Sequence, residues 1–272
     1  LIAIGYAYLD NGYMEEASEK LTEVKKLNKT DPKVYVLEGD ILLSSKNLGS
    51  AAGKYDMAIY FDSTHTLAYI KGAKIYENSN WQTAIEKLKK LITLQPDYII
   101  AYRYMGKIYT SNGYYPLAIE AFKKYFMMGY YNIEDIVHYA TALYFNGQYQ
   151  EAVQIIKEGL AIEPNHFVLN RLLFYSAANL HDIENGLFYA TNFLSLEQKN
   201  TNQYLAKDYE MYAKVLKDAK KFDQAILEYQ KAISIDSNNP EIYKDMADLM
   251  NLKSEYGNAA DLYQQYIDKK KQ

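Results

Sequence analysis

Small residues return along the chain about every 34 positions, in two parallel series separated by apolar and polar residues. The first series is Gly5, Gly39, Gly72, Gly106, Ala140, Phe174, Ala213 and Ala247. The second lies about twelve residues downstream, at Ala17, Ala51, Ala84, Ala118, Ala152, Gly186, Ala225 and Ala259. Antiparallel helices pack closely where small side chains leave room for the neighbouring backbone. The two series therefore predict two paired helices in each repeat.

Proline and glycine punctuate the same pattern. Proline fits the first turn of a helix but cannot continue a preceding one, and glycine accepts the backbone angles of tight turns. The expected helix starts and repeat ends are marked by Pro32, Pro96, Pro116, Pro164 and Pro240. The turns inside repeats are marked by Gly12, Gly113 and Gly147.

The fourth repeat carries the most complete motif, with Tyr102, Gly106, Tyr109, Ala118 and Phe122 in the order large, small, aromatic, small, aromatic. This motif resembles the tetratricopeptide repeat family, and the resemblance extends over the whole chain as eight units. It implies an all-α, right-handed superhelical solenoid of antiparallel helix pairs. The expected repeats are 1–30, 31–64, 65–97, 98–131, 132–165, 166–203, 204–238 and 239–272, in a single domain.

The sixth repeat departs from this pattern. Phe174 and Gly186 have unusual sizes for their places in the two series, and the step from Gly186 to Ala225 is longer than the other steps. The excess falls in a polar stretch, 197–203. A tolerated surface loop and a joint between repeats one to five and repeats seven and eight both fit this stretch.

Composition narrows the functional classes. The 272 residues are 49% hydrophobic, yet apolar clusters are interrupted before reaching the roughly 18 residues of a membrane span. We therefore expect no direct membrane insertion and no separate catalytic domain. Leu1 occupies what should be the fourth position of a first helix, so we expect residues upstream.

The absence of cysteine excludes disulfides and thiolate chemistry within this sequence. It fits the oxidising bacterial cell envelope, where a free thiol is a liability, and it also fits the cytoplasm. A net charge of −4 argues against nucleic acid as a partner.

Catalytic patterns are missing from the sequence. The histidines His65, His138, His166 and His181 are far apart, and no metal-ligand spacing or nucleophile motif accompanies them. We expect no catalytic residue, no metal and no cofactor.

The resemblance implies that first helices line a concave groove, whose positions are counted from the first small series. Repeats one and two would supply a mostly apolar wall that includes Tyr6, Asp40 and Leu43. Repeats seven and eight would supply a solvated face that includes Glu210 and Lys214. The asparagines of the family's chaperone-binding carboxylate clamp are absent from these positions. The expected partner-binding residues are Tyr69, Tyr76, Arg103, Lys107, Tyr144, Arg171 and Tyr175.

Three functions fit these observations. The first is a non-enzymatic scaffold that holds a protein or peptide in the groove. The second is a carbohydrate- or small-ligand-binding module of the cell envelope, and the third is the regulatory part of a longer protein. The last helix carries Leu262, Tyr263, Tyr266 and Ile267 without a polar capping helix, so we expect a partner or a second copy to cover it.

Overall fold

A computed structural model describes residues 1–196 and 203–271. These residues form sixteen α-helices and contain no strand, which confirms the predicted all-α class. The helices group into two compact units, Leu1–Tyr130 and Tyr131–Gln272. Most of the predicted joint, residues 197–202, lies outside the described residues.

Unit 1 contains four helix pairs, and each pair matches one predicted repeat. The pairs are α1 (Ile2–Asp10) with α2 (Met14–Leu27), α3 (Pro32–Ser44) with α4 (Leu48–Phe61), α5 (Thr66–Tyr76) with α6 (Trp81–Leu94), and α7 (Ile99–Ser111) with α8 (Tyr115–Phe126).

Unit 2 contains four pairs of the same kind. They are α9 (Ile133–Phe145) with α10 (Tyr149–Ile162), α11 (Phe167–Asn179) with α12 (Ile183–Leu194), α13 (Ala206–Asp218) with α14 (Phe222–Ile235), and α15 (Pro240–Leu252) with α16 (Tyr256–Lys270). In both units each second helix also packs against the first helix of the next repeat.

Side-chain caps explain where several helices begin. The carboxylate of Asp31 accepts a hydrogen bond from the Lys33 backbone N–H at 2.9 Å, just ahead of Pro32 in the first turn of α3. His65 and His166 cap α5 and α11 through Nδ1, which accepts a backbone N–H at 3.3 Å in each case. Two of the four histidines therefore have a structural role.

The turn inside every repeat except the third contains a residue in the left-handed region. Gly12, Gly113 and Gly147 adopt φ angles of 82°, 78° and 77°, as the sequence predicted. Other repeats place non-glycine residues in this region, including His181 at φ 54° and Lys220 at φ 59°. A side chain in this conformation costs roughly 1–2 kcal/mol, so these turns are strained.

The two small series form the contact lines inside each helix pair. Every alanine of both series is buried. A Cβ on Gly39 would lie 2.5 Å from the Tyr55 ring, so only glycine fits there. Repeat six differs, because its first-helix position is the large residue Phe174, buried against Phe193, and its second-helix position is Gly186.

In three repeats a tyrosine of the first helix hydrogen-bonds to the turn that precedes the helix. The hydroxyls of Tyr35, Tyr69 and Tyr243 each donate to a backbone carbonyl six residues earlier, at distances of 2.7, 3.2 and 3.1 Å. The bond satisfies a turn carbonyl that the helix leaves without a partner. Some of the 30 tyrosines of the chain therefore have a structural role within the repeats.

No helix of the described ranges is both long enough and apolar enough to cross a membrane.

Candidate functional site

The first helices of unit 1 contact one another through polar side chains. Tyr6 of α1 donates to Asp40 Oδ2 of α3 at 3.0 Å, and Lys71 of α5 donates to Asp40 Oδ1 at 2.7 Å. Tyr55 of α4 donates to Oδ1 at 2.6 Å from within the core. Burial, followed by the Asp40 carboxylate, raises the pKa of both tyrosines, which keeps their hydroxyls protonated. Asp40 is thus a buried carboxylate with three side-chain donors. The groove wall predicted from repeats one and two is therefore less apolar at this point than expected.

The structure shifts the register of repeat three by one residue. The N-cap Asp31 lies eight residues before Gly39 in α3, whereas the N-cap His65 lies only seven residues before Gly72 in α5. The residue of α5 equivalent to Gly39 is therefore Ala73, which is buried. A neighbouring small residue concealed this shift in the sequence.

The shift corrects two predicted groove residues. Tyr69 is 1% exposed, and its hydroxyl hydrogen-bonds to the preceding turn. A ligand therefore cannot reach its ring. Tyr76 is half-buried, with Lys87 Nζ of α6 5.7 Å from the centroid of its ring. The groove position that directly follows the small residue is therefore Lys74 in repeat three. Lys74 was not predicted from the sequence because the groove positions were counted from Gly72 instead of Ala73.

Lys74 belongs to a cluster of cations around one ring. Its Nζ lies 4.9 Å from the centroid of Tyr104 on α7, and the Arg103 guanidinium carbon lies 5.9 Å from the same centroid. Lys74 is exposed, while Arg103 and Tyr104 are half-buried. Lys107, one turn beyond Arg103, is buried. Cations close to a ring face interact with its quadrupole, which holds these side chains together.

We call the surface of α1, α3, α5 and α7 that carries Tyr6, Asp40, Lys71, Lys74 and Arg103 the first-helix face. Tyr6 and Lys71 each donate to Asp40, and Lys74 contacts the Tyr104 ring, so these contacts link the four helices.

In unit 2, Arg171 and Tyr175 are engaged by a buried carboxylate. Arg171 donates to Asp208 through Nε at 2.9 Å and through Nη2 at 3.0 Å, and Nη2 also donates to the Gln203 carbonyl at 2.7 Å. Tyr175 donates to Asp208 Oδ1 at 2.7 Å. Burial and then Asp208 raise the pKa of Tyr175. These interactions join α11 to α13, so the two predicted groove residues have an internal partner.

Tyr144, the third predicted groove residue in unit 2, is half-buried. Its ring centroid lies 6.0 Å from that of Tyr175 and 5.5 Å from that of Tyr149. Its hydroxyl accepts a hydrogen bond from Asn179 Nδ2 at 3.4 Å. Burial raises the pKa of Tyr144, so the hydroxyl remains neutral.

The charged face expected from repeats seven and eight is partly internal. Glu210 is buried, and its Oε1 accepts from Lys207 at 2.7 Å and from Lys214 at 2.6 Å. Lys214 also pairs with Asp245 of α15 at 2.9 Å. Burial acts to raise the pKa of Glu210, but the two lysine hydrogen bonds outweigh it and hold that pKa below its usual range. The expectation of a fully solvated face at Glu210 was wrong, because two lysines neutralise the carboxylate.

Across residues 1–196 and 203–271, no group of three histidine or carboxylate side chains is arranged to hold a metal ion. His181 lies on an exposed turn and its Nδ1 is 3.2 Å from Asp218.

Sequence comparisons relate this chain to proteins built from helical repeats. The TPR repeat family model matches residues 213–251, which cover most of α13 to α15. This match, the relative described next and the solved structures together support assignment of the chain to the tetratricopeptide repeat family. Its sequence is 24% identical over 238 residues to the TPR repeat-containing protein YpiA of Bacillus subtilis, covering 84% of this chain and 55% of that protein. The chain thus spans about half the length of this relative.

Two solved structures share the fold. The C-terminal part of a TPR repeat-containing protein from Cytophaga hutchinsonii aligns with a TM-score of 0.66 at 15% identity, covering 89% of this chain and 98% of that one. A tetratricopeptide repeat protein from Parabacteroides merdae aligns with a TM-score of 0.55 at 18% identity, covering 92% and 97% of the two chains. At these identities the similarity concerns the helical repeat fold.

Proposed function

We propose that this protein is a non-enzymatic scaffold that binds a protein or peptide in extended form along the first-helix face of unit 1. The observation that supports this proposal is that side chains of successive first helices contact one another, so the face is continuous over α1, α3, α5 and α7. A continuous surface lets one extended segment contact several repeats at once, which is the binding mode this architecture offers.

Charge favours an acidic ligand at the α5 and α7 end of this face. Lys71 is bonded to Asp40, and the exposed Lys74 lies with Arg103 beside the half-buried Tyr104 ring, which places several cations at this end of the face. A carboxylate that reaches this cluster would gain charge-assisted hydrogen bonds, and the Tyr104 ring would support an apolar or aromatic neighbour. Lys107 is included in the proposed site as a contributor of positive charge.

Two of the three predicted groove residues of unit 2 are assigned a structural role in this proposal. Arg171 and Tyr175 bond Asp208, so we assign them to holding α11 against α13. Tyr144 is retained as a candidate contact, since its half-buried ring is part of an aromatic cluster with Tyr149.

Binding to an array of synthetic extended peptides of random composition tests the proposal. We expect the bound peptides to be enriched in Asp and Glu, with affinities that fall as salt rises because the contacts are ionic. The variant Lys74→Ala/Tyr104→Ala should lose these peptides, while Lys26→Ala/Lys29→Ala, which removes two exposed lysines of repeat one, should keep them. Peptides bound equally by both variants would place the ligand elsewhere.

We also propose that a second copy covers the outer side of α16. Of the four residues predicted to need a cover, Leu262 and Tyr263 pack against the core, Tyr266 is half-buried and Ile267 is 43% exposed. Tyr256, which is 67% exposed, lies on the same stripe of the helix as Ile267. The equivalent residues of α14, Phe222 and Ile233, pack against the core cluster formed with α15. Light scattering should show a concentration-dependent oligomer that Tyr256→Ser/Ile267→Ser converts to a monomer. A wild-type monomer at high concentration would contradict this.

A further inference from the structure

Unit 1 carries an unusual apolar turn at the end of α8. Met127, Met128 and Tyr130 are 84%, 54% and 80% exposed. Other turns between repeats are polar, as in Asp62-Ser63-Thr64-His65 and Asp236-Ser237-Asn238-Asn239. Large apolar side chains that are grouped and exposed mark an interaction surface more often than scattered ones do.

Backbone hydrogen bonds hold this turn in a defined shape. The N–H of Met128 donates to the Tyr125 carbonyl at 3.3 Å, and the N–H of Gly129 donates to the Phe126 carbonyl at 3.0 Å. Gly129 then reverses the chain at φ 74°. The two methionine side chains are therefore presented on a capped helix end, which lowers the entropy lost when a partner binds.

The turn begins three residues after Lys124, which lines a cleft between α6 and α8. The cleft has a volume of about 270 Å³, and its apolar lining includes Ile92, Tyr102 and Leu117. Leu117 is itself 44% exposed. α8 ends at Phe126, so Met128 lies just beyond the helix whose residues Leu117, Ala121 and Lys124 line the cleft.

The rim of this cleft is more basic than acidic. Lys89 of α6 and Lys124 of α8 line it together with Glu120, which pairs with Lys124 at 3.4 Å. The adjacent cleft between α4 and α6 differs, because an ion pair from Lys87 to Asp56 crosses it. Among the described residues, no ion pair crosses the α6–α8 cleft in this way.

We propose that the α6–α8 cleft and the Met127–Tyr130 turn form a second docking surface, which binds an amphipathic helix of a partner protein. The apolar stripe of that helix would lie over the cleft floor and the two methionines, and acidic residues on its flanks would face Lys89 and Lys124. Methionine suits such a surface because its flexible thioether adapts to different apolar side chains. This surface is separate from the first-helix face, and the proposal does not depend on a ligand there.

Synthetic helices provide the probe. Two peptides of about 18 residues would share one Leu and Ala stripe, with Glu on the flanks of one and Lys on the flanks of the other. Fluorescence anisotropy should show tighter binding of the Glu peptide, by about tenfold or more. The variant Met127→Ser/Met128→Ser should weaken it by about tenfold, and Lys89→Glu/Lys124→Glu should reverse the preference between the peptides.

Control variants separate this surface from its neighbours. Tyr60→Ser changes an exposed ring of the α4–α6 cleft and should leave binding unchanged, as should Lys74→Ala/Tyr104→Ala on the first-helix face. Circular dichroism should show the same helicity for all variants. Equal binding of both peptides, no binding, or binding unaffected by the methionine variant would overturn the proposal. Methionine-dependent sedimentation with anionic phosphatidylglycerol vesicles, in place of peptide binding, would overturn it in favour of a lipid surface.

Discussion

Replacing Tyr55 by phenylalanine should destabilise the protein, whereas replacing Tyr229 should not, although both rings are fully buried. Each is the central tyrosine of a second helix, so the substitutions remove the same group. Tyr55 donates to Asp40, fifteen residues earlier, at 2.6 Å. Fifteen residues before Tyr229 is Lys214, which cannot accept, and the Tyr229 hydroxyl has no hydrogen-bond partner among the described residues.

The expected magnitudes follow from these surroundings. A hydrogen bond to a charged group contributes about 1.5–3 kcal/mol, but Asp40 keeps Tyr6 and Lys71 as donors, so Tyr55→Phe should cost about 1–2 kcal/mol. Removing the hydroxyl of Tyr229 removes a buried polar group without a partner, so Tyr229→Phe should be neutral or stabilise by up to about 1 kcal/mol.

Urea unfolding monitored by far-ultraviolet circular dichroism measures both effects. The Tyr55→Phe midpoint should fall and the Tyr229→Phe midpoint should stay or rise, with unchanged slopes. Equal losses from both substitutions would refute the reasoning, since the hydroxyl partners would then have no effect on stability.

Three further predictions concern close packing and acid stability. Ala118→Leu should cost about 1–3 kcal/mol by overpacking, whereas Ala260→Leu on an exposed position should change thermal stability by less than about 0.5 kcal/mol; similar melting shifts would mean that the contact line is misplaced. Gly39→Ala should destabilise because its Cβ would meet a ring carbon at 2.5 Å, whereas Gly53→Ala, with nothing within 4 Å, should stabilise by about 0.5–1 kcal/mol; urea midpoints that move together would contradict this. The lowered pKa of Glu210 stabilises the fold above the usual carboxyl pKa of 4.5, and this contribution is lost as pH falls through the folded-state pKa; Glu210→Gln should therefore flatten the loss of stability below pH 4.5, and an unchanged acid titration would contradict it.

The helix pairs were predictable from the sequence because each depends on a local pattern. Small residues at a fixed interval mark close helix contacts, and proline or glycine marks the helix ends. Repeat three shows where this reasoning fails. Gly72 and Ala73 are adjacent small residues, so spacing alone did not select between them, and the error moved Tyr69 from a structural position into the predicted groove.

The buried acids were less predictable, because most of their partners belong to other repeats. Asp40 and Asp208 are bonded by residues 31 to 37 positions away, and the sequence pattern of one helix does not reveal such partners. One signal was present in the sequence. A tyrosine follows an aspartate by fifteen residues both at Asp40 and at Asp248, and each pair is hydrogen-bonded at 2.6 Å.

Affinity for an acidic peptide selected on the array tests the central proposal most directly. Fluorescence anisotropy with the labelled peptide would compare wild type, Lys74→Ala/Tyr104→Ala, Arg103→Ala/Lys107→Ala and the control Lys26→Ala/Lys29→Ala. Melting curves would be measured alongside, because Lys107 is buried and its loss can affect packing. We predict at least about a tenfold loss of affinity in both site variants and none in the control. Unchanged affinity in Lys74→Ala/Tyr104→Ala, with its fold intact, would contradict a binding site on the first-helix face.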